Sequence, residues 1–260
     1  FQQLDDHIVM TQAMSFSPFK KPFEERILGW ETGLKLASEI LEAWIACQRS
    51  WLYLEPIFGN EDIQKQLPLE AKRFATVDRN WRKYMSEAKK NSHVLSLCST
   101  ERMLKTFEDS NKLLDIVAKG LNDYLETKRA AFARFYFLSN DELLSILSQT
   151  KDPEAVQPHL KKCFEAIYSV EFRGNKASGY TIHSMKSGEG EVVPFAEALT
   201  VKGSVENWLS DVEKMMQRSI LLVVRDACAS YATVPRPEWV LQWQGQVVLA
   251  GTQHYWSIEV

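Results

Sequence analysis

The sequence predicts a mainly α protein, an elongated bundle of long and short helices carrying a small β-hairpin or meander insert. Three observations predict it. Apolar residues recur at alternating spacings of four and three over long stretches, as one face of a helix requires. Prolines punctuate those stretches, with Pro22, Pro56, Pro68, Pro153 and Pro235 at their boundaries. Only residues 169–202 change period, to the alternation of a half-buried strand. The chain therefore divides into a helical portion 1–168, a β insert 169–202 and a helical portion 203–260.

Residues 1–21 have no sustained period and read as an irregular or partly helical lead-in. A helix is expected from Pro22, because proline suits the first helical position and Glu24 and Glu25 complement the positive end of the dipole. Its stripe is Phe23, Ile27, Trp30, Leu34, Ala37, Leu41, Trp44 and Trp51, broken at Gln48 and ended by Pro56 and Gly59. At 1.5 Å per residue such a helix spans about 45 Å. Asn60 can cap a short turn, and Pro68 restarts a second amphipathic helix through Phe74, Val77, Trp81, Tyr84 and Ala88. Thr100 is the expected N-cap of a third long helix through Leu104, Phe107, Leu114, Val117, Leu121 and Leu125. Gly120 inside it costs about 1 kcal/mol against alanine, so it marks close packing or a bend.

Ser139 and Glu142 form a capping box ahead of Leu143, Leu144 and Leu147. Pro153 precedes another short helix around Leu160, Cys163, Phe164 and Ile167. Val170, Phe172, Tyr180 and Ile182 then alternate with polar residues between turn glycines. Helix resumes after Gly203 and Ser204 with Trp208, Val212, Met215, Ile220, Val223 and Ala227 on one face. One last helix is expected beyond Pro235 and Pro237, carrying Val240, Trp243, Val247 and Ala250.

Composition excludes more than it assigns. The chain has 260 residues, a net charge of −3 and 45% hydrophobic residues, with no basic patch for nucleic acid and no run long enough to span a bilayer. Four widely spaced cysteines fit reduced thiols and an intracellular setting. Phe1 in place of an initiator methionine, and an end inside a helical pattern, suggest a piece of something larger. No Gly-Lys-Ser/Thr phosphate loop occurs, and the nearest approach, Gly174 to Ser178, reads as a hairpin turn. His159 and Cys163 share a helix face without a third partner, so packing explains them better than a metal or thiolate site. Trp30, Trp44, Trp51, Trp81, Trp208 and Trp243 lie on apolar faces and are assigned to core packing. The expectation is a protein with no catalytic, metal or cofactor site in this segment.

Several strings carry a family resemblance: LDDHIVMTQAM (Leu4–Met14), SPFKKPFEERI (Ser17–Ile27), WLYLEPIF (Trp51–Phe58), FYFLSNDELLSILSQTKDP (Phe135–Pro153), VQPHLKKCFE (Val156–Glu165) and WVLQWQGQVVLAG (Trp239–Gly251). In this order they resemble the linker of dynein heavy chains, of axonemal and inner-arm type rather than cytoplasmic. That resemblance implies a mechanical element that precedes the first AAA+ module, arches over the ring and bends with nucleotide state. It implies ATP and magnesium bound in the ring rather than here, with intermediate and light chains and microtubules engaging other regions. Cytoplasm, cytoskeleton and the axoneme of cilium or flagellum are the implied locations. Candidate hinge points are Pro56 in the Pro56–Pro68 connection, Gly120, and Pro153 and Pro158, where helical hydrogen bonding breaks. Arg173 and Lys176 on the β insert are the candidate ring contacts. The competing reading is a static helical scaffold of spectrin or tether type, against which the β insert and the lack of a fixed repeat speak.

Overall fold

The structure is a computed structural model that describes residues 1–148, 152–175 and 177–260, with the side chain of Glu259 left aside. Among the described residues there are eleven α-helices and one three-stranded antiparallel sheet, a mainly α fold with a small β insert. The chain falls into two compact units, Phe1–Asp123 and Tyr124–Val260. No helix among the described residues is long and apolar enough to cross a membrane.

In the first unit, α1 (Gln2–Ser15) lies against α2 (Glu24–Phe58), α3 (Glu61–Gln66) is a short turn, and α4 (Pro68–Lys90) follows. A further turn, α5 (Val94–Leu97), precedes α6 (Glu101–Ala131). A 3-10 turn over Lys21–Phe23 holds Pro22, so α2 begins two residues later than its proline suggests. The buried stripe of α2 is Leu34, Ala37, Ile40, Cys47, Leu54 and Phe58. Ile40 takes the place expected of Leu41 and Cys47 that of Gln48, so the buried face continues one residue earlier than the expected stripe. Phe23 and Trp30 do not join it: they are 55% and 53% exposed. On α6 the stripe runs through Met103, Phe107, Leu114, Val117, Leu121 and Leu125, with Met103 taking the place expected of Leu104.

Aromatic rings interlock these helices. Trp51 stacks on Trp81 at 5.2 Å and Phe58 on Phe74 at 5.4 Å, pairs that step seven residues in opposite directions and so fix α2 antiparallel to α4. Phe107 of α6 meets Trp44 and Tyr84, each at 5.2 Å. Polar ends are satisfied without leaving the seam: Trp51 Nε1 donates to Asp78 at 3.0 Å, and Asn111 Nδ2 donates to the Ala43 carbonyl at 2.9 Å.

The second unit contains α7 (Asn140–Leu147), α8 (Gln157–Cys163), the meander β1 (Ser169–Asn175), β2 (Gly179–Lys186) and β3 (Val192–Thr200), then α9 (Val205–Tyr231), α10 (Arg236–Gln242) and α11 (Gly245–Glu259). The Ser139–Glu142 capping box opens α7 as the sequence predicts. The sheet order is β1-β2-β3, and the Ala196 N–H of β3 donates to Ser219 Oγ of α9 at 2.9 Å. The single last helix expected from the sequence is two. Chain direction changes at Trp243 and Gln244, because the Glu191 carboxylate accepts the Gly245 N–H at 2.8 Å and Gln244 Nε2 donates to the Val192 carbonyl at 3.1 Å. Trp239 is fully buried against Ala227 and Val247, with Nε1 donating to the Ala227 carbonyl at 2.9 Å.

Candidate functional site

The β insert owes its turn to two glycines. Gly174 has φ 108°, and a Cβ there would meet the Gly179 carbonyl oxygen at 2.1 Å; Gly179 has φ 83°. Between them Asn175 Oδ1 accepts the N–H groups of Ala177 and Ser178, each at 2.9 Å. Those donors are therefore committed to the turn rather than free for a phosphate. Lys176 lies outside the described residues.

Arg173 stands exposed on β1 and is not a lone cation. Its Nε and one Nη donate to Glu171 Oε1 at 2.9 and 2.8 Å, while Ser184 Oγ donates to Glu171 Oε2 at 2.8 Å. The hydrogen bond from Arg173, aided by that from Ser184, holds the Glu171 carboxyl below the usual carboxylate range. Register shifts fall at Val170/Phe172 in β1 and Ile182/Ser184 in β2, placing Glu171 and His183 at the irregularities. The bulged edge is closed from α8: Gln157 Nε2 donates to the Val170 carbonyl at 2.6 Å, and Gln157 Oε1 accepts the Val170 N–H at 3.1 Å. The meander thus presents a pre-set Arg173–Glu171 pair on a backbone whose edge cannot easily recruit a foreign strand.

The hinge candidates occupy distinct surroundings. Pro56 sits inside the last turn of α2, which continues to Phe58, so Gly59 and not Pro56 ends the helix. With no N–H, Pro56 leaves the Leu52 carbonyl without its intrahelical donor and crowds it, and the helix runs only two residues beyond. Gly120 lies within an uninterrupted α6, and a Cβ there would meet Glu70 Cγ of α4 at 2.8 Å, so its absence admits that side chain. Pro153 opens a 3-10 turn, Pro153–Val156, whose N-cap Asp152 accepts from the Glu154 N–H at 3.2 Å. Pro158 lies in the first turn of α8.

His159 and Cys163 are not poised for reactive chemistry. Burial pushes the Cys163 thiol up to about 11, against a smaller downward pull from Arg134, and burial lowers His159. Among the described residues no three His, Cys, Asp or Glu side chains converge as metal ligands would. Two polar groups went unread in the sequence. Arg129 is 7% exposed and donates to Glu126, the Leu138 carbonyl and Asn140 at 2.8, 3.3 and 2.7 Å, bracing the corner between α6 and α7. Lys128 donates to Glu206 of α9 at 2.5 Å, with both side chains largely buried. Both cations lie in the last turn of α6, where a sequence suggests only dipole complementarity.

Comparison with known proteins gives a consistent result. Residues 1–227 match the family described as dynein heavy chain, N-terminal region 2. The chain is 57% identical over 259 residues to dynein axonemal heavy chain 1 of Rattus norvegicus, covering 100% of this chain and 6% of that protein. It is 49% identical over 260 residues to dynein axonemal heavy chain 3 of Homo sapiens, covering 99% and 6%, and 48% identical over 259 residues to dynein axonemal heavy chain 12 of Rattus norvegicus, covering 98% and 8%. The chain therefore spans only 6% to 8% of the length of these relatives.

Proposed function

We infer a role from one premise: this chain belongs to the dynein heavy chain family, as part of the N-terminal region of an axonemal type. It acts as a force-transmitting lever, the linker of a microtubule motor in the axoneme of a cilium or flagellum. ATP turnover belongs to AAA+ modules elsewhere in the heavy chain, and this segment couples their nucleotide-driven changes to movement. Microtubules and the intermediate and light chains are engaged by other regions. The observation that carries the reading is the aromatic seam of α2, α4 and α6, in which rings at successive heptads lock three helices of 35, 23 and 31 residues. Close-packed seams of that kind resist sliding and bending, so a displacement is passed along rather than absorbed. Compliance is then left to Pro56, Gly120, Pro153 and Pro158, and the exposed Arg173 serves as a contact for the ring.

The test is a full-length heavy chain carrying Trp44→Ala and Phe107→Ala, assayed for microtubule gliding and ATP turnover together. A several-fold fall in velocity with turnover retained is expected, because the motor would hydrolyse ATP while its lever yields. Unchanged velocity per ATP would remove the lever reading.

A further inference from the structure

We propose that the groove between α1 and the start of α2 is a docking site for an acidic, amphipathic helix supplied by another part of the same heavy chain. The groove holds about 580 Å³ and is lined by Met14, Phe19, Phe23 and Trp30 together with Lys20 and Arg26. Its walls are unusually bare: Met14 is 56% exposed, Phe19 82% and Trp30 53%, and neighbouring Phe16 is 87% exposed. Scattered apolar residues at a surface are ordinary, but aromatic side chains gathered around one concavity mark an interaction site. This proposal is independent of the lever reading and needs only membership of the heavy chain family.

Charge selects the occupant. No acidic side chain lines the groove, while both of its charged lining residues are cationic. Lys20 reaches Glu24 only at 3.9 Å with both side chains exposed, a contact worth little, and Arg26 makes no ion pair among the described residues. A cleft between two helices accepts apolar anchors at helical spacing, and a carboxylate beside those anchors would meet the Arg26 guanidinium in its forked geometry. The source follows from length and tethering. This chain is 6% of the length of its heavy chain 1 relative, so most of such a polypeptide lies outside it. A helix tethered within the same molecule has an effective concentration that a free partner rarely reaches.

The experiment places a photocrosslinking amino acid at Phe19 in the full-length heavy chain and maps the products by mass spectrometry. The expected product joins Phe19 to a helical segment of the same heavy chain, outside these 260 residues, with Asp or Glu beside its apolar face. Lys20→Glu together with Arg26→Glu should cut the yield about tenfold, and replacing the facing acid by lysine should restore it. Crosslinks to another polypeptide, to an acid-free segment or to nothing would overturn the proposal, as would a yield indifferent to both reversals. Because all three altered side chains lie on the surface, circular dichroism of the variants is expected to match the parent, and the readout is contact rather than motility.

Discussion

In the first unit Trp44, Trp51, Phe58, Trp81 and Phe107 stack face to face along α2, α4 and α6, and Trp51 Nε1 is satisfied by Asp78. In the second unit the sheet and short helices are held by directed polar contacts: Gln157 on the edge of β1, Glu191 on the first turn of α11, Lys128 on Glu206, and Arg129 across the corner to α7. Ring packing is non-directional and spread over many atoms, so it tolerates no local release. A polar bracket depends on two or three atoms and can be undone singly. The contrast assigns stiffness to the stacked rings and adjustability to the polar brackets.

The comparison breaks most plainly at two of the largest fully buried side chains. Phe107→Ala and Trp239→Ala should each cost about 3 to 5 kcal/mol in equilibrium unfolding, since both side chains are almost wholly buried. If stiffness is spread through the seam, Phe107→Ala should also raise hydrogen exchange along α2 and α4, whereas Trp239→Ala should act around α9, α10 and α11.

The next effect in size concerns the Lys128–Glu206 pair. Lys128→Ala leaves a carboxylate that is nearly inaccessible and should cost about 3 kcal/mol, while Lys128→Met with Glu206→Leu should be close to neutral. Burial alone would raise Glu206, but hydrogen bonds from Lys128, its own backbone and Ser204 outweigh that and hold it below its ordinary value. A lowered folded pKa gives stability that is complete above the unfolded value of about 4.3 and fades as pH falls toward the folded one. Acid titration of unfolding should show that loss in the parent and less of it in the Met/Leu variant.

Two smaller effects sharpen the contrast between cap and seam. Ser139→Ala removes the capping-box acceptor of α7 and should cost about 1 kcal/mol, confined to the second unit. Gly120→Ala gains helix propensity but drives a methyl into Glu70, so alone it should change little. On a Glu70→Ala background the same substitution should stabilise by about 1 kcal/mol. A penalty there instead would mean that the glycine serves a bend rather than the Glu70 contact.

Much of this was legible from residues alone because heptad-like spacing carries its own geometry. The stripes of α4 and α6, the capping box and the meander follow from period and turn chemistry. Trp30 departs from its expected place in the core because periodicity reveals which face is apolar, not whether anything covers it. The break at Trp243 was hidden because its cause, the Glu191 carboxylate, comes from 54 residues earlier. Pro56 reads as a stop, yet α2 continues two residues past it to Phe58, because a proline breaks the hydrogen bond behind it and not those of the residues that follow. Arg129 and Lys128 look like ordinary C-terminal cations until α7 and α9 fold beside them. The Glu171–Arg173 pair is visible in sequence as neighbours two apart; its fixing by Ser184 needs the register of β2.

Hydrogen exchange on the full-length heavy chain, without nucleotide and with a non-hydrolysable ATP analogue, tests the central claim most directly. Amides beside the stacked rings Trp44, Trp51, Trp81 and Phe107 should be protected equally in both states, while exchange changes at one or more of the proposed hinge points Pro56, Gly120, Pro153 and Pro158. Ring-side amides that respond to nucleotide while every proposed hinge point stays constant would contradict the account.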